Sequence, residues 1–370
     1  MMKFTPLLLL LGCMSVMAQD NYNLVVGTYT NTCESKGIYV YDFNAVTGDS
    51  KLKSNTEGVV NPSYLTVSND NKFIYSVNED GSKSEVSSFK YTPGTGKISL
   101  LNKKDAKGDD PCYIINDDKH VIVANYTDGS IAVFDKEKDG ALSKAKQVVK
   151  HSGSSVNKER QAGPHVHMVN FSPDKKYVFA TDLGADKIYI YSYNPAGDHG
   201  NILTLADSVD LKPGSGPRHL VFNPNSIFFY VLSELDASLT AFSYYNGKIE
   251  QIQQLSVQLK DFTGKNGAAH IQVTQDGKYL YATNRGDANT IAVFKVHSNG
   301  MLNFVQELYT QGEGPRNFAI DPKGNFLLVA NQNTNDIIIF KRDKTTGMLS
   351  DTGKCIQLCA PVCLVFTPAK

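Results

Sequence analysis

Short apolar runs alternate with clusters of Asn, Pro, Gly, Asp and Ser along almost the whole chain. In one stretch, Leu220-Val-Phe222 leads into the polar Asn223-Pro-Asn-Ser226. The run Phe228 to Leu232 follows, then a polar corner from Ser233 to Ser238 and the run Leu239 to Tyr244. A Tyr245-Asn-Gly247 turn and the run Ile249 to Val257 complete it. Short runs rich in β-branched and aromatic residues, bounded by turn formers, predict strands joined by hairpins. No segment holds a long apolar period of 3.6 residues, so the pattern predicts an all-β protein.

The four-strand unit recurs. Gly216-Pro-Arg-His-Leu-Val-Phe-Asn-Pro224 is repeated as Gly314-Pro-Arg-Asn-Phe-Ala-Ile-Asp-Pro322 and as Ala360-Pro-Val-Cys-Leu-Val-Phe-Thr-Pro368. Aligned starts fall at Pro62, Pro111, Pro164, Pro217, Ala268, Pro315 and Pro361, about fifty residues apart. Four short strands in each of seven such units predict a seven-bladed β-propeller with four-stranded blades. The opening segment Asn23 to Tyr29 reads as the second strand of a blade without its first. Pro361 to Pro368 reads as a first strand with nothing after it. Pairing the N- and C-terminal strands completes a blade and removes the free edges of an open ring.

The first residues break the pattern. Lys3, an apolar run from Phe4 to Leu11 and the small exit residue Ala18 read as an export signal over residues 1–18. Residues 19–370 then form a single propeller domain. Cleavage after Ala18 is preferred. The lipobox-like Leu10-Leu11-Gly12-Cys13 offers the alternative of a lipid anchor at Cys13, and no integral membrane span is expected because the run is too short. The sequence places the protein in the periplasm or outside the cell.

Composition narrows the function. The 370 residues carry 37 Lys+Arg against 37 Asp+Glu, so there is no basic field for nucleic acid. Trp is absent, which argues against propellers that dock partners through tryptophan. Five cysteines follow the leader: Cys33, Cys112, Cys355, Cys359 and Cys363. Their pairing is open. The spacing of the last three could suggest metal ligands, but they sit among strand residues without a His or carboxylate, so no metal site is assigned. There is no Gly-rich nucleotide loop, and no cofactor is implied.

Antiparallel pairing puts the start of each first strand and the end of each second strand at one rim. The first-strand starts there are His167, Arg218, Ala269 or His270, Arg316 and Cys363. The second-strand ends are Tyr29, Glu79, Tyr126, Asp182, Glu234, Arg285 and Gln332. Asn78, Asn125, Asn284 and Asn331 recur in register and read as turn formers. His165 and His167 alternate across Val166, which predicts that both face one side of a strand. They are read as hydrogen-bonding groups, since a third metal ligand is missing. Arg218 and Glu234 are open to two readings, a structural ion pair or a site.

The segments Pro164-His-Val-His-Met-Val-Asn-Phe-Ser-Pro-Asp174, Thr181-Asp-Leu-Gly-Ala-Asp186, Gly214-Ser-Gly-Pro-Arg-His219, Ser233-Glu-Leu235 and Ala282-Thr-Asn-Arg-Gly286 resemble the propeller-type lactonase family. That family includes the propeller form of 6-phosphogluconolactonase and the fungal 3-carboxy-cis,cis-muconate lactonizing enzymes. The resemblance runs over about residues 22–368. It implies a hydrolase that opens a sugar lactone, taking 6-phosphogluconolactone to 6-phosphogluconate, with a site built from His, Arg and Glu. The matching positions are His167 (or His165), Arg218 and Glu234, with Arg285 contributing.

The chemistry suits those residue types. Glu234 is expected to be the base that activates water, Arg218 to stabilise the oxyanion and His167 to protonate the departing ring oxygen. His165, Arg285 and Arg316 are expected to bind substrate, the arginines through a phosphate or carboxylate. Two alternatives stay open: a muconate-type cycloisomerase, and a non-catalytic propeller that binds a partner in the periplasm. The export signal also leaves open a non-phosphorylated aldonolactone as substrate.

Overall fold

The computed structural model describes residues 20–198, 200–245, 248–258 and 261–370. Residues 1–18, read as an export signal, and the Cys13 lipidation site lie outside them, as does the Asn246-Gly247 turn. Seven four-stranded antiparallel sheets make up the fold. Six are continuous in sequence; the strands Pro217–Phe222, Phe228–Ser233, Ser238–Tyr245 and Lys248–Ser256 form one of them. Strand bounds in this blade agree with the apolar runs to within a few residues. Among the described residues no helix is long and apolar enough to cross a membrane.

The seventh blade is composite. The C-terminal strand Pro361–Pro368 pairs antiparallel with Asn21–Thr28, from Tyr22 opposite Pro368 to Gly27 opposite Cys363. Ile38–Asn44 and Ser50–Asn55 complete that sheet. Phe43 meets Phe366 edge-on at 5.3 Å and Phe326 of the sixth blade at 5.9 Å, so the closing strand is also held by core packing. A disulfide between Cys33 and Cys359 ties the loop after Asn21–Thr28 to the segment entering the last strand. Cys355, Cys112 and Cys363 are free thiols, the last two buried.

Between blades the core is made of Phe, Tyr and aliphatic residues. Phe179 packs edge-on against Phe222 and Phe229 of the next blade. The recurring Asn residues are structural, as their register predicts. Asn78, Asn125 and Asn331 donate to the carbonyls of Val60, Ala106 and Thr310, and Asn284 accepts the Gly267 N–H.

One feature of the innermost strands aims the chemistry. In four of them a bulge near the start leaves one residue unpaired: Cys112 between Pro111 and Tyr113, His167 between Val166 and Met168, Arg218 between Pro217 and His219, and Arg316 between Pro315 and Asn317. A bulge re-aims a side chain away from the regular alternation. Two expectations change as a result. Val166, not Pro164, occupies the register position of Pro217, because Val166 is the residue opposite Asp182. In the closing blade the bulged residue is Val362, and Cys363 lies one step further in.

Candidate active site

The rim where first strands begin and second strands end gathers side chains from all seven blades. Glu234 follows the strand Phe228–Ser233 and its N–H donates to the Gly216 carbonyl at 2.7 Å, which fixes the corner. Its side chain is buried with three guanidinium groups around it. Arg218 donates through Nε to Oε2 at 3.0 Å, and Nη2 of Arg285 lies 3.1 Å from the same oxygen. Nη2 of Arg160 donates to Oε1 at 2.8 Å and reaches the Tyr126 hydroxyl at 3.2 Å. Arg218 is only 2% exposed, whereas the Arg160 side chain is 42% exposed. Arg160 therefore caps the cluster from the solvent side.

Two histidines border this cluster. His165 stacks on Tyr126 at 4.5 Å and donates from Nδ1 to the Tyr126 carbonyl at 2.9 Å. His167 meets the same ring edge-on at 5.4 Å. The expected alternation on one strand is corrected: the strand begins at Val166, His165 precedes it, and the bulge re-aims His167. Both rings still meet at Tyr126. Asp182 braces the His165 segment, accepting the His165 N–H at 2.8 Å and the Gly184 and Ala185 N–H groups at 3.1 Å. Gly184 is needed there, since a Cβ would lie 1.9 Å from the Gly163 carbonyl oxygen.

The other side of the mouth is acidic and hydroxylated. Tyr29 donates to Glu79 at 2.8 Å, and the Arg316 guanidinium lies over the Tyr29 ring at 5.4 Å. Tyr29 and Glu79 flank a groove of about 370 Å³ that Asn31, Asn61, Asp80 and Asp110 also line. A larger groove of about 720 Å³, lined by Gln272, Asp276, Asp321 and Arg342, lies at the opposite rim between the fifth and sixth blades. It is remote from every residue of the arginine cluster. Among the described residues no group of three His, Cys, Asp or Glu is placed to hold a metal.

The electrostatics follow from burial and crowding. Burial alone would raise Glu234, but the charges of Arg285, Arg218 and Arg160 overcome it and hold the carboxyl far below the usual range. Burial, then Arg285 and Arg316, push Arg218 down to about 9, so it stays charged at neutral pH. Burial and the Arg218 charge lower His167 well below the ordinary imidazole value, leaving it neutral. Cys112 adds a tautomer preference. Its thiol donates to the His167 carbonyl at 3.3 Å, while its sulfur lies 3.7 Å from His167 Nδ1. Sulfur can then accept Nδ1–H, which leaves the lone pair on Nε2.

The structure thus brings together Glu234, Arg218, Arg285 and the two histidines, and places Arg316 across the mouth with Tyr29 and Glu79. Sequence reasoning missed Arg160. It lies in the long connection between the second and third blades, outside the repeat register that singled out the other residues.

A closed propeller with a buried carboxylate, converging arginines and a neutral imidazole at one channel mouth has the architecture of a catalytic propeller rather than a scaffold. The sequence matches the family described as "Lactonase, 7-bladed beta-propeller" over residues 23–366, and the chain belongs to that family. It is 37% identical to a 6-phosphogluconolactonase of Formosa agariphila over 332 residues, covering 88% of this chain and 94% of the relative. It is 35% identical to a 6-phosphogluconolactonase of Bacillus subtilis, covering 92% and 97%. A solved structure of a periplasmic gluconolactonase from Pseudomonas aeruginosa superposes with a TM-score of 0.90 at 36% identity, covering 95% of this chain and 100% of that one.

Proposed function

We propose that this protein is a lactonase that hydrolyses the ring ester of a six-carbon sugar lactone at the Glu234 mouth of the channel. The observation that carries the reading is the buried Glu234 carboxylate shared by Arg218, Arg285 and Arg160, in a chain similar over most of its length to named lactonases.

The electrostatics favour a different division of labour from the one the residue types suggest. A carboxylate held by three guanidinium groups is a weak base, because its charged form is strongly favoured. We assign proton transfer to His167, which is neutral and keeps its Nε2 lone pair free when the Cys112 sulfur accepts Nδ1–H. Its Nε2 takes a proton from water as the water oxygen attacks the lactone carbonyl carbon. Negative charge growing on the carbonyl oxygen is met by Arg218, supported by Arg285. The ring C–O bond then breaks, and the imidazolium returns the proton to the departing ring oxygen, giving the open hydroxy acid. Glu234 holds the two guanidinium groups in aim. An anionic group on the substrate is received by Arg160, whose side chain is the most exposed of the cluster, and by Arg316 across the mouth beside Tyr29.

We also propose that residues 1–18 direct export and that the mature protein acts in the periplasm or outside the cell. The Cys33–Cys359 disulfide supports this, since such bonds persist in oxidising compartments, and the P. aeruginosa neighbour is named as periplasmic. An exported enzyme meets gluconolactone more readily than its 6-phosphate. The test is hydrolysis of both lactones followed by pH-stat, with the spontaneous rate subtracted. An enzyme-dependent rate on either is the expected result, and their ratio identifies the substrate. Spontaneous opening alone on both refutes the reading.

A further inference from the structure

Beneath the arginine cluster the channel is not empty. Tyr64 and Tyr113, from the first and second blades, stack at 4.0 Å. His219 meets the rings of Tyr113 at 5.1 Å, His167 at 5.3 Å and His270 at 5.2 Å, and His270 packs on Phe318 at 5.0 Å. A side chain that touches rings from the second, third and fifth blades must stand in the channel itself. His219 is 2% exposed. Neither it nor His270 has a part in the hydrolytic steps above.

Their hydrogen bonds run in one direction only. A guanidinium has donors and no acceptor. Nη1 of Arg218 lies 3.1 Å from Nε2 of His219, so that nitrogen must carry the lone pair. The His219 proton is then on Nδ1, which lies 3.0 Å from Nδ1 of His270. His270 accepts there, and its own proton is on Nε2. The main-chain carbonyl of Ala269 also accepts from Nη1 of Arg218. Burial and the Arg218 charge keep both imidazoles neutral, with His270 pushed down to about 3. Each neutral ring is thereby fixed as a single tautomer.

We infer that His219 and His270 form a buried relay that sets the aim of Arg218, with His219 as its positioning residue. Glu234 holds Nε of Arg218 from the rim, and His219 with the Ala269 carbonyl holds Nη1 from below. A guanidinium gripped on two sides cannot rotate away from the developing oxyanion, so its charge is already in place when the carbonyl is attacked. His270 acts one bond further away by enforcing the rarer Nδ1–H form of His219. The activity arm of this inference rests on the lactonase reading; the tautomer arm does not.

The experiment has those two arms. In ¹⁵N-labelled wild-type protein, imidazole nitrogen shifts are predicted to show His219 as the Nδ1–H and His270 as the Nε2–H tautomer. An Nε2–H form at His219 overturns the relay whatever substrate the enzyme takes. In kinetics, His219→Leu, which offers Arg218 no acceptor, should lower kcat about tenfold or more with KM within about twofold. His219→Gln, whose amide oxygen can accept from Arg218, should restore most of that loss. A folded His219→Leu protein with the wild-type kcat overturns the positioning role.

Discussion

Nε of Arg218 lies 3.0 Å from Oε2 of Glu234, and both residues are more than nine-tenths buried. An ion pair so enclosed contributes little net stability, because desolvation offsets most of the attraction, and removing one partner leaves a stranded charge. Here the carboxylate serves three arginines at once. That surplus of positive charge, held rigid before substrate arrives, suits stabilisation of a developing oxyanion better than it suits a structural ion pair.

The buried histidines predict how stability and activity depend on pH. His167, His219 and His270 all have folded values below the ordinary 6.5, the first two well below it and His270 at about 3. Between about 6.5 and those values the unfolded chain binds more protons than the folded one, so stability falls as pH falls. Denaturant melts at stepped pH should show stability declining from about pH 6.5 downward. Equal stability at pH 7 and pH 5 would contradict this. The rate profile should show no acid limb near 6.5, because His167 stays neutral until well below it.

Ring closure predicts an all-or-none dependence on the last strand. Removing residues 361–370 strips Asn21–Thr28 of one of its two partner strands and Phe43 of its Phe366 contact. The truncated chain should lose cooperative thermal unfolding by circular dichroism. A normal melt would mean that the closing pair is dispensable.

The disulfide predicts a second, graded effect at the same place. The Cys33–Cys359 bond spans 326 residues of chain. Cys33→Ser together with Cys359→Ser should cost about 2–4 kcal/mol and lower the melting temperature. Reductant should lower the wild-type melt toward the same value and leave the double variant unmoved. A reductant-insensitive wild type would argue that the bond adds nothing to stability.

Much of this was legible in the chain. Repeats, strand runs and the unmatched terminal strands were visible because turn chemistry and apolar runs recur in register. Arg218, Glu234 and Arg285 stood out because in-register corners rarely need charge. What escaped notice had no periodic signal. Arg160 lies in an inter-blade connection. Pro164 was aligned two residues early because the third blade begins its strand after the proline, at Val166. The pairing of Cys33 with Cys359 joins opposite ends of the sequence. His219 was visible only as part of the family-like Gly-Pro-Arg-His segment, and its tautomer chain with His270 exists only in the closed ring. For Glu234 the residue type suggests a base, whereas our proposal gives it a positioning role, because three guanidinium partners favour its charged form.

The most direct test of the account is the turnover of Glu234→Gln on the lactone that the wild type opens fastest, measured by pH-stat after subtracting the spontaneous rate. Losing the carboxylate charge releases Arg218, Arg285 and Arg160 together, and kcat should fall about a hundredfold or more. Wild-type turnover in a folded Glu234→Gln protein would contradict the claim that lactone opening takes place at this cluster.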